Sequence, residues 1–273
     1  MSILAFIKRA PALWLFGLAL PAQALLVWAE ATQRAPALAV KARIYMPAVI
    51  ALALTALVKG RKGLQKTFRS LVNLRVRWPW FVVALLYAPV VGVLPLLAFR
   101  AAGAIDHIEY DTNLVGSTGW LFFKFIFTIS IVEEISWVGF GIEHLKPRFS
   151  AFVAALLGGA AWGLWYVPLN LAGLQMAGTF PNVPLVINFM AIGACCSWVY
   201  IHTQSALLVA LMQVVTNYTS LAFPVLPKPG HMGVYYGFIA TKFAFALAVF
   251  LWRGPLPLWK PQRQAPEARR QAA

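Results

Sequence analysis

Residues 119–140 read GWLFFKFIFTISIVEEISWVGF. The stretch is apolar over a length that crosses a membrane, since roughly 20 residues of helix span a bilayer core about 30 Å thick. Three ionisable residues interrupt it: Lys124, Glu133 and Glu134. A charge in the hydrocarbon is costly, so such groups face the protein interior and mark a site. This one segment therefore predicts both a membrane helix and the place where its chemistry sits.

Seven further apolar runs flank it, at about 10–29, 44–58, 79–99, 150–172, 183–201, 204–222 and 233–252. The expected fold is all-α, a polytopic membrane helix bundle of about eight transmembrane helices plus one interfacial amphipathic helix. The composition agrees. Of 273 residues, 61% are hydrophobic and 11% charged, whereas a soluble domain has about a quarter of its residues charged. A soluble globular domain, a disordered chain and a disulfide scaffold are thereby excluded. The two cysteines, Cys195 and Cys196, are adjacent and read as small apolar packing residues. The first run carries Lys8 and Arg9 before it but is too long for a cleaved leader and lacks a small-x-small site after it.

The net charge of +15 lies between the apolar runs, so it signals membrane orientation and no nucleic-acid partner. The loop before residue 79 holds Lys59, Arg61, Lys62, Lys66, Arg69, Arg75 and Arg77. Lys8, Arg9, Lys146, Arg148 and the basic tail fall on the same side of an eight-span topology. The other side has Arg34, Lys41, Arg43, Arg100 and Lys228, together with Asp106, Glu109 and Asp111. Positive residues stay inside in short loops, so both termini are expected in the cytoplasm of a cell whose inner or plasma membrane holds the protein. Within residues 60–78, Leu64, Phe68, Leu71 and Val72 recur near helical spacing with cations on the other face. That pattern predicts a helix lying in the interface against anionic lipid headgroups. Residues 1–254 read as one transmembrane domain, and the Pro-rich tail 255–273 as a disordered cytoplasmic segment.

Glu133 and Glu134 are neighbours, and neighbours on a helix point about 100° apart. One is expected to act and the other to support it. Lys242 stands mid-span and needs water, a carboxylate or a carbonyl. Lys124 either snorkels from its span end or reaches the carboxylates. Two polar pairs have i,i+4 spacing: Trp162 with Tyr166, and Gln213 with Asn217. The amide pair reads either as interhelical glue or as donors aimed at an oxyanion. His107, His144, His202 and His231 sit in loops or at span ends, so neither a metal site nor any other cofactor is expected.

At this point the chain resembles the CAAX-protease and bacteriocin-processing (CPBP) family of intramembrane endopeptidases. Glu133-Glu134-Ile135-Ser136-Trp137-Val138-Gly139 resembles its first motif, Glu-Glu-x-x-x-Arg. Trp162 through Leu169 resembles the second, an aromatic followed four residues later by His, then x-Pro. Gln213 through Asn217 resembles the third, His-x-x-x-Asn. Order and spacing match over about 60–222, the family-like core. The resemblance implies that Glu133 activates water and that positions 213 and 217 hold the oxyanion. It also implies a hydrophobic or lipidated peptide as substrate or ligand.

Three departures stand in this core. Val138 replaces the arginine, Tyr166 the first histidine and Gln213 the second. A phenol does not accept a proton as imidazole does at neutral pH, and loss of a general acid–base group costs about 10²–10⁴ in rate. The candidate site is Glu133, Glu134, Tyr166, Gln213 and Asn217, and three readings remain open. The first is an inactive or weakened relative that binds a hydrophobic peptide or a membrane protein partner. The second is an active peptidase using Glu133 with Gln213 and Asn217 as donors. The third is a transporter with a proton-coupled glutamate pair, its spans interrupted at prolines such as Pro89, Pro95, Pro168 and Pro184.

Overall fold

A computed structural model describes residues 3–34, 36, 42–108, 110, 119–174, 179–228 and 230–253. The tail 255–273 and the residues Lys41, Glu109 and Asp111 lie outside the described residues. Among the described residues the regular structure is helical, as expected for a membrane bundle. In chain order the helices are α1 (Ile3–Arg9), α2 (Pro11–Ala31), α3 (Met46–Leu71), α4 (Pro79–Ala101), α5 (Gly119–Leu145), α6 (Ala151–Leu171), α7 (Asn182–Thr203), α8 (Ala206–Ala222) and α9 (Met232–Arg253).

Six of these are long and apolar enough to cross a membrane: α2, α4, α5, α6, α7 and the Met232–Trp252 part of α9. The protein is an integral membrane protein. The expected eight included 44–58 and 204–222, and both form helices that are shorter as apolar elements. The apolar half of α3 ends at Lys59, and α8 is apolar but only 17 residues long. Each is too short to span a flat bilayer core alone. The prolines do not break the spans. Helices α4 and α6 continue through Pro89, Pro95 and Pro168, and Pro184 lies in the first turn of α7, where proline is tolerated.

Helix α3 turns at Gly60, which has φ 62° and ψ −155°. That region of conformational space is open essentially to glycine alone. The turn separates a membrane half, 46–59, from a basic half, 61–71. Small residues set the tightest contact, between α6 and α7. A Cβ added at Gly159 would lie 2.5 Å from the Phe189 carbonyl oxygen, and one at Gly193 would lie 2.9 Å from the Gly159 Cα. Glycine lets the two backbones touch, as membrane helices do where no hydrophobic force drives them together.

Helix α5 is the hub. Its segment Glu134–Ile142 winds as a wide π-helix and packs against α2, α3, α6, α7 and α8. Two sequence features support the wide winding. Ser136 Oγ donates back to the Val132 carbonyl at 2.7 Å, a local bond that competes with the regular ladder and bends helices. Gly139 has no Cβ, which would otherwise stand 2.8 Å from the Glu134 carbonyl. Such wide turns interrupt α-helices often at functional sites.

Candidate active site

Glu133 ends the regular part of α5, and Glu134 begins the wide part. The two carboxyls diverge, as adjacent helical positions must. Glu133 turns to α6. Its Oε1 accepts from Trp162 Nε1 at 3.0 Å and from the Tyr166 hydroxyl at 2.6 Å. The i,i+4 pair therefore does share one face, and that face closes on one carboxylate oxygen. Stacking fixes the aim of the phenol. The Tyr166 ring lies 4.6 Å from Phe189 of α7 at an interplanar angle of 14°, and Trp165 meets it edge-on at 5.0 Å.

Glu134 turns to α8, where its Oε1 accepts from Gln213 Nε2. It is completely buried, and its Oε2 has no hydrogen-bond partner among the described residues. Glu133 keeps 6% exposure. Four of the five expected site residues thus meet in two pairs. Asn217 does not join them: its Nδ2 donates to the Gln213 carbonyl of its own helix at 2.9 Å. An amide one turn from a buried carbonyl satisfies itself locally when nothing nearer accepts from it.

Among the described residues, no cation pairs with the two carboxyls. Val138, at the arginine position, is buried and apolar. Lys242 is buried, but its Nζ donates to Asn188 Oδ1 at 2.7 Å and lies 3.6 Å from the Phe238 ring centroid. Lys124 is exposed, with its Nζ 5.5 Å from the Trp120 ring centroid. Of the two alternatives open for Lys124, the structure shows the one away from the carboxylates, and Lys242 stands apart from them too. Lys242 finds a neutral acceptor and an aromatic face instead, and Lys124 takes the snorkelling position.

Two site neighbours lay outside the expected set. Trp162 was recognisable as the aromatic that opens the second motif and as Tyr166's i,i+4 partner, and that spacing was the signal. Arg43, paired with Glu30 at 3.1 Å, comes within electrostatic reach of Tyr166 from the loop after α2. No local pattern marks it. Among the described residues no group of three His, Cys, Asp or Glu gathers as metal ligands would.

A buried glutamate pair on a wide-wound helix, faced by the helices that carry the second and third motif-like segments, is the arrangement that the likeness to CAAX-type proteases leads one to expect. The sequence comparisons agree. The family described as type II CAAX prenyl endopeptidase, Rce1-like, matches residues 116–219. A protein named CAAX prenyl protease 2 from Methanococcus maripaludis is 23% identical over 175 residues, covering 61% of this chain and 65% of that protein. The chain is thus similar to this family over its central third, and the match spans just under two thirds of that relative's length.

Proposed function

We propose that this protein is a non-hydrolysing member of its family, which uses the glutamate site to bind a hydrophobic or lipidated peptide segment within the membrane. One observation carries the reading. Oε1 of Glu133 receives both Trp162 Nε1 and the Tyr166 hydroxyl, so the position that the family gives to an imidazole holds a donor pointing at the base. Neither Tyr166 nor Gln213 takes up a proton at neutral pH. The amide of Gln213 is spent on Glu134, and that of Asn217 on its own backbone. An oxyanion hole needs donors aimed where charge develops, and these two amides are aimed elsewhere.

The relative's name ties that protein to prenylated CAAX termini, which supports an apolar, prenylated peptide as the partner class here. Residues 60–222 form the proposed family core within a single transmembrane unit. The charge asymmetry supports both termini on the cytoplasmic side of an inner or plasma membrane.

The test is a purified, lipid-reconstituted protein offered a farnesylated peptide labelled at both ends. Saturable binding without cleavage, unchanged by Glu133→Gln in its lack of turnover, is the expected result. Cleavage by the parent chain that Glu133→Gln removes would overturn it.

A further inference from the structure

The basic limb beyond the Gly60 turn is not used by the glutamate site, yet it is built onto two of the three helices that form it. Lys66 Nζ pairs with Glu143 Oε2 at 3.1 Å, and Lys146 holds the other oxygen of Glu143 at 2.7 Å. Glu143 follows directly on the wide segment Glu134–Ile142. Further along, Asn73 Nδ2 donates to the Thr203 carbonyl at 3.2 Å, and Ser205 Oγ donates to the Asn73 carbonyl at 2.7 Å. Ser205 caps α8 by accepting from Leu208 N at 3.1 Å, and α8 carries Gln213. One limb therefore clasps the end of α5 and the start of α8.

Its other face is turned outward. Gly63 and Ser70 are buried against the protein, while Arg61, Lys62, Lys66, Arg69, Arg75 and Arg77 are exposed. Among these cations Phe68, Val72, Leu74 and Trp78 are exposed at 53%, 73%, 64% and 74%. Large apolar side chains standing among cations do not suit bulk water. They suit the boundary where acyl chains meet headgroups, and the charge selects anionic headgroups. The sequence pattern alone expected a lipid-facing helix. The structure ends that helix at Leu71, short of the expected 78, and adds that the helix and the irregular stretch 72–78 after it together form a clasp.

We propose that residues 61–78 form a binding surface for anionic phospholipid, and that lipid seated there holds the clasp closed across the ends of α5 and α8. Phosphate groups engage Arg61, Lys62 and Arg69, while Phe68 and Trp78 enter the acyl region. Lys66 stays with Glu143. The arrangement is independent of whether Glu133 supports hydrolysis.

The experiment uses the full protein in nanodiscs of phosphatidylcholine, with or without phosphatidylglycerol. Two quantities are read: phosphatidylglycerol retained by the protein, and amide hydrogen exchange at 143–146 and 205–209. Phosphatidylglycerol is expected to be retained preferentially and to slow exchange in both segments. The variant Arg61→Gln/Lys62→Gln/Arg69→Gln removes three exposed side chains that make no hydrogen bond or ion pair with the described residues. It is expected to lose about fivefold in affinity per charge, about 100-fold in all, along with the slowed exchange. The matching Arg61→Lys/Arg69→Lys variant is expected to keep both and so controls for folding. Equal retention of the two lipids by the parent would overturn the proposal, as would full retention by the glutamine variant. Slowing of the same two segments by inorganic phosphate alone would overturn it too, because a soluble anion would then suffice without a lipid surface.

Discussion

The Tyr166 hydroxyl donates to Oε1 of Glu133 across 2.6 Å, on the oxygen that Trp162 reaches at 3.0 Å from one helical turn earlier. Two neutral donors thus hold one buried carboxyl. Removing one partner of a buried polar group costs about 1–3 kcal/mol, whereas removing both partners is nearly neutral. Tyr166→Phe is therefore expected to lower stability by about that amount. In a Glu133→Leu background the same change should cost little. Thermal unfolding in detergent measures both, and an equal cost in the two backgrounds would mean that Tyr166 acts through its Phe189 stacking alone.

The second pair follows the same logic with higher stakes. Glu134 is fully buried, and Gln213 supplies the hydrogen bond to its Oε1 while Oε2 has none. Gln213→Leu strands the carboxyl and is expected to cost about 3 kcal/mol, at the upper end for a buried group. Adding Glu134→Leu should restore most of that loss. A double variant no more stable than Gln213→Leu would show that the two side chains are not energetically coupled.

A gain-of-function variant separates lost chemistry from lost geometry. Tyr166 and Gln213 already point at Glu133 and Glu134 from the two helices that carry the family's histidine positions. Tyr166→His combined with Gln213→His is expected to raise cleavage of a prenylated peptide above the parent's background by about 10²–10⁴, the usual worth of a placed acid–base group. Glu133→Gln in the same chain should abolish the gain. If the double variant folds and binds peptide but stays silent, the missing arginine at Val138 or the turned-away Asn217 limits the site.

What the sequence made legible was whatever the bilayer enforces. Apolar length gave the helices, and the cost of charge in hydrocarbon picked out Glu133, Glu134 and Lys242. The i,i+4 rule put Trp162 and Tyr166 on one face, and the structure turns that face onto Glu133. The pairing of distant helices was not legible. That Lys242 meets Asn188, and that Asn217 bonds the carbonyl four residues before it, depend on rotations of whole helices. The kink at Gly60 also escaped, because one glycine between an apolar and a basic half reads equally as loop or helix. So the expected span count came out above the six helices long enough to cross.

Lys242 offers a check on that hidden pairing. Its Nζ donates to Asn188 Oδ1 and rests on the Phe238 face, and among the described residues no carboxylate bonds to it. Leaving a buried polar group without its acceptor is costlier than replacing that group with an apolar one of similar volume. Asn188→Leu should therefore destabilise by about 3 kcal/mol, while Lys242→Met should be neutral or stabilising. The opposite order in unfolding experiments would mean that Lys242 has a partner of another kind, such as a bound anion.

The α6–α7 contact is the last place where one atom decides the packing. A Cβ at Gly159 would fall 2.5 Å from the Phe189 carbonyl and 2.7 Å from the Met190 Cα, both of them backbone. Backbone cannot swing aside as a side chain can, so α7 must move away as a unit. Phe189 is also the ring stacked on Tyr166, and displacing it loosens the phenol from Glu133. Gly159→Ala is thus expected to destabilise by about 1–3 kcal/mol, the usual cost of overpacking, and to weaken peptide binding although it touches no site residue. Gly17, mid-helix in α2 with no atom within 4 Å of an added Cβ, is the matched control, and Gly17→Ala should leave peptide binding unchanged and raise stability slightly, by up to about 1 kcal/mol from helix preference. Equal effects of the two substitutions would show that α6 and α7 are free to separate without disturbing the glutamate site.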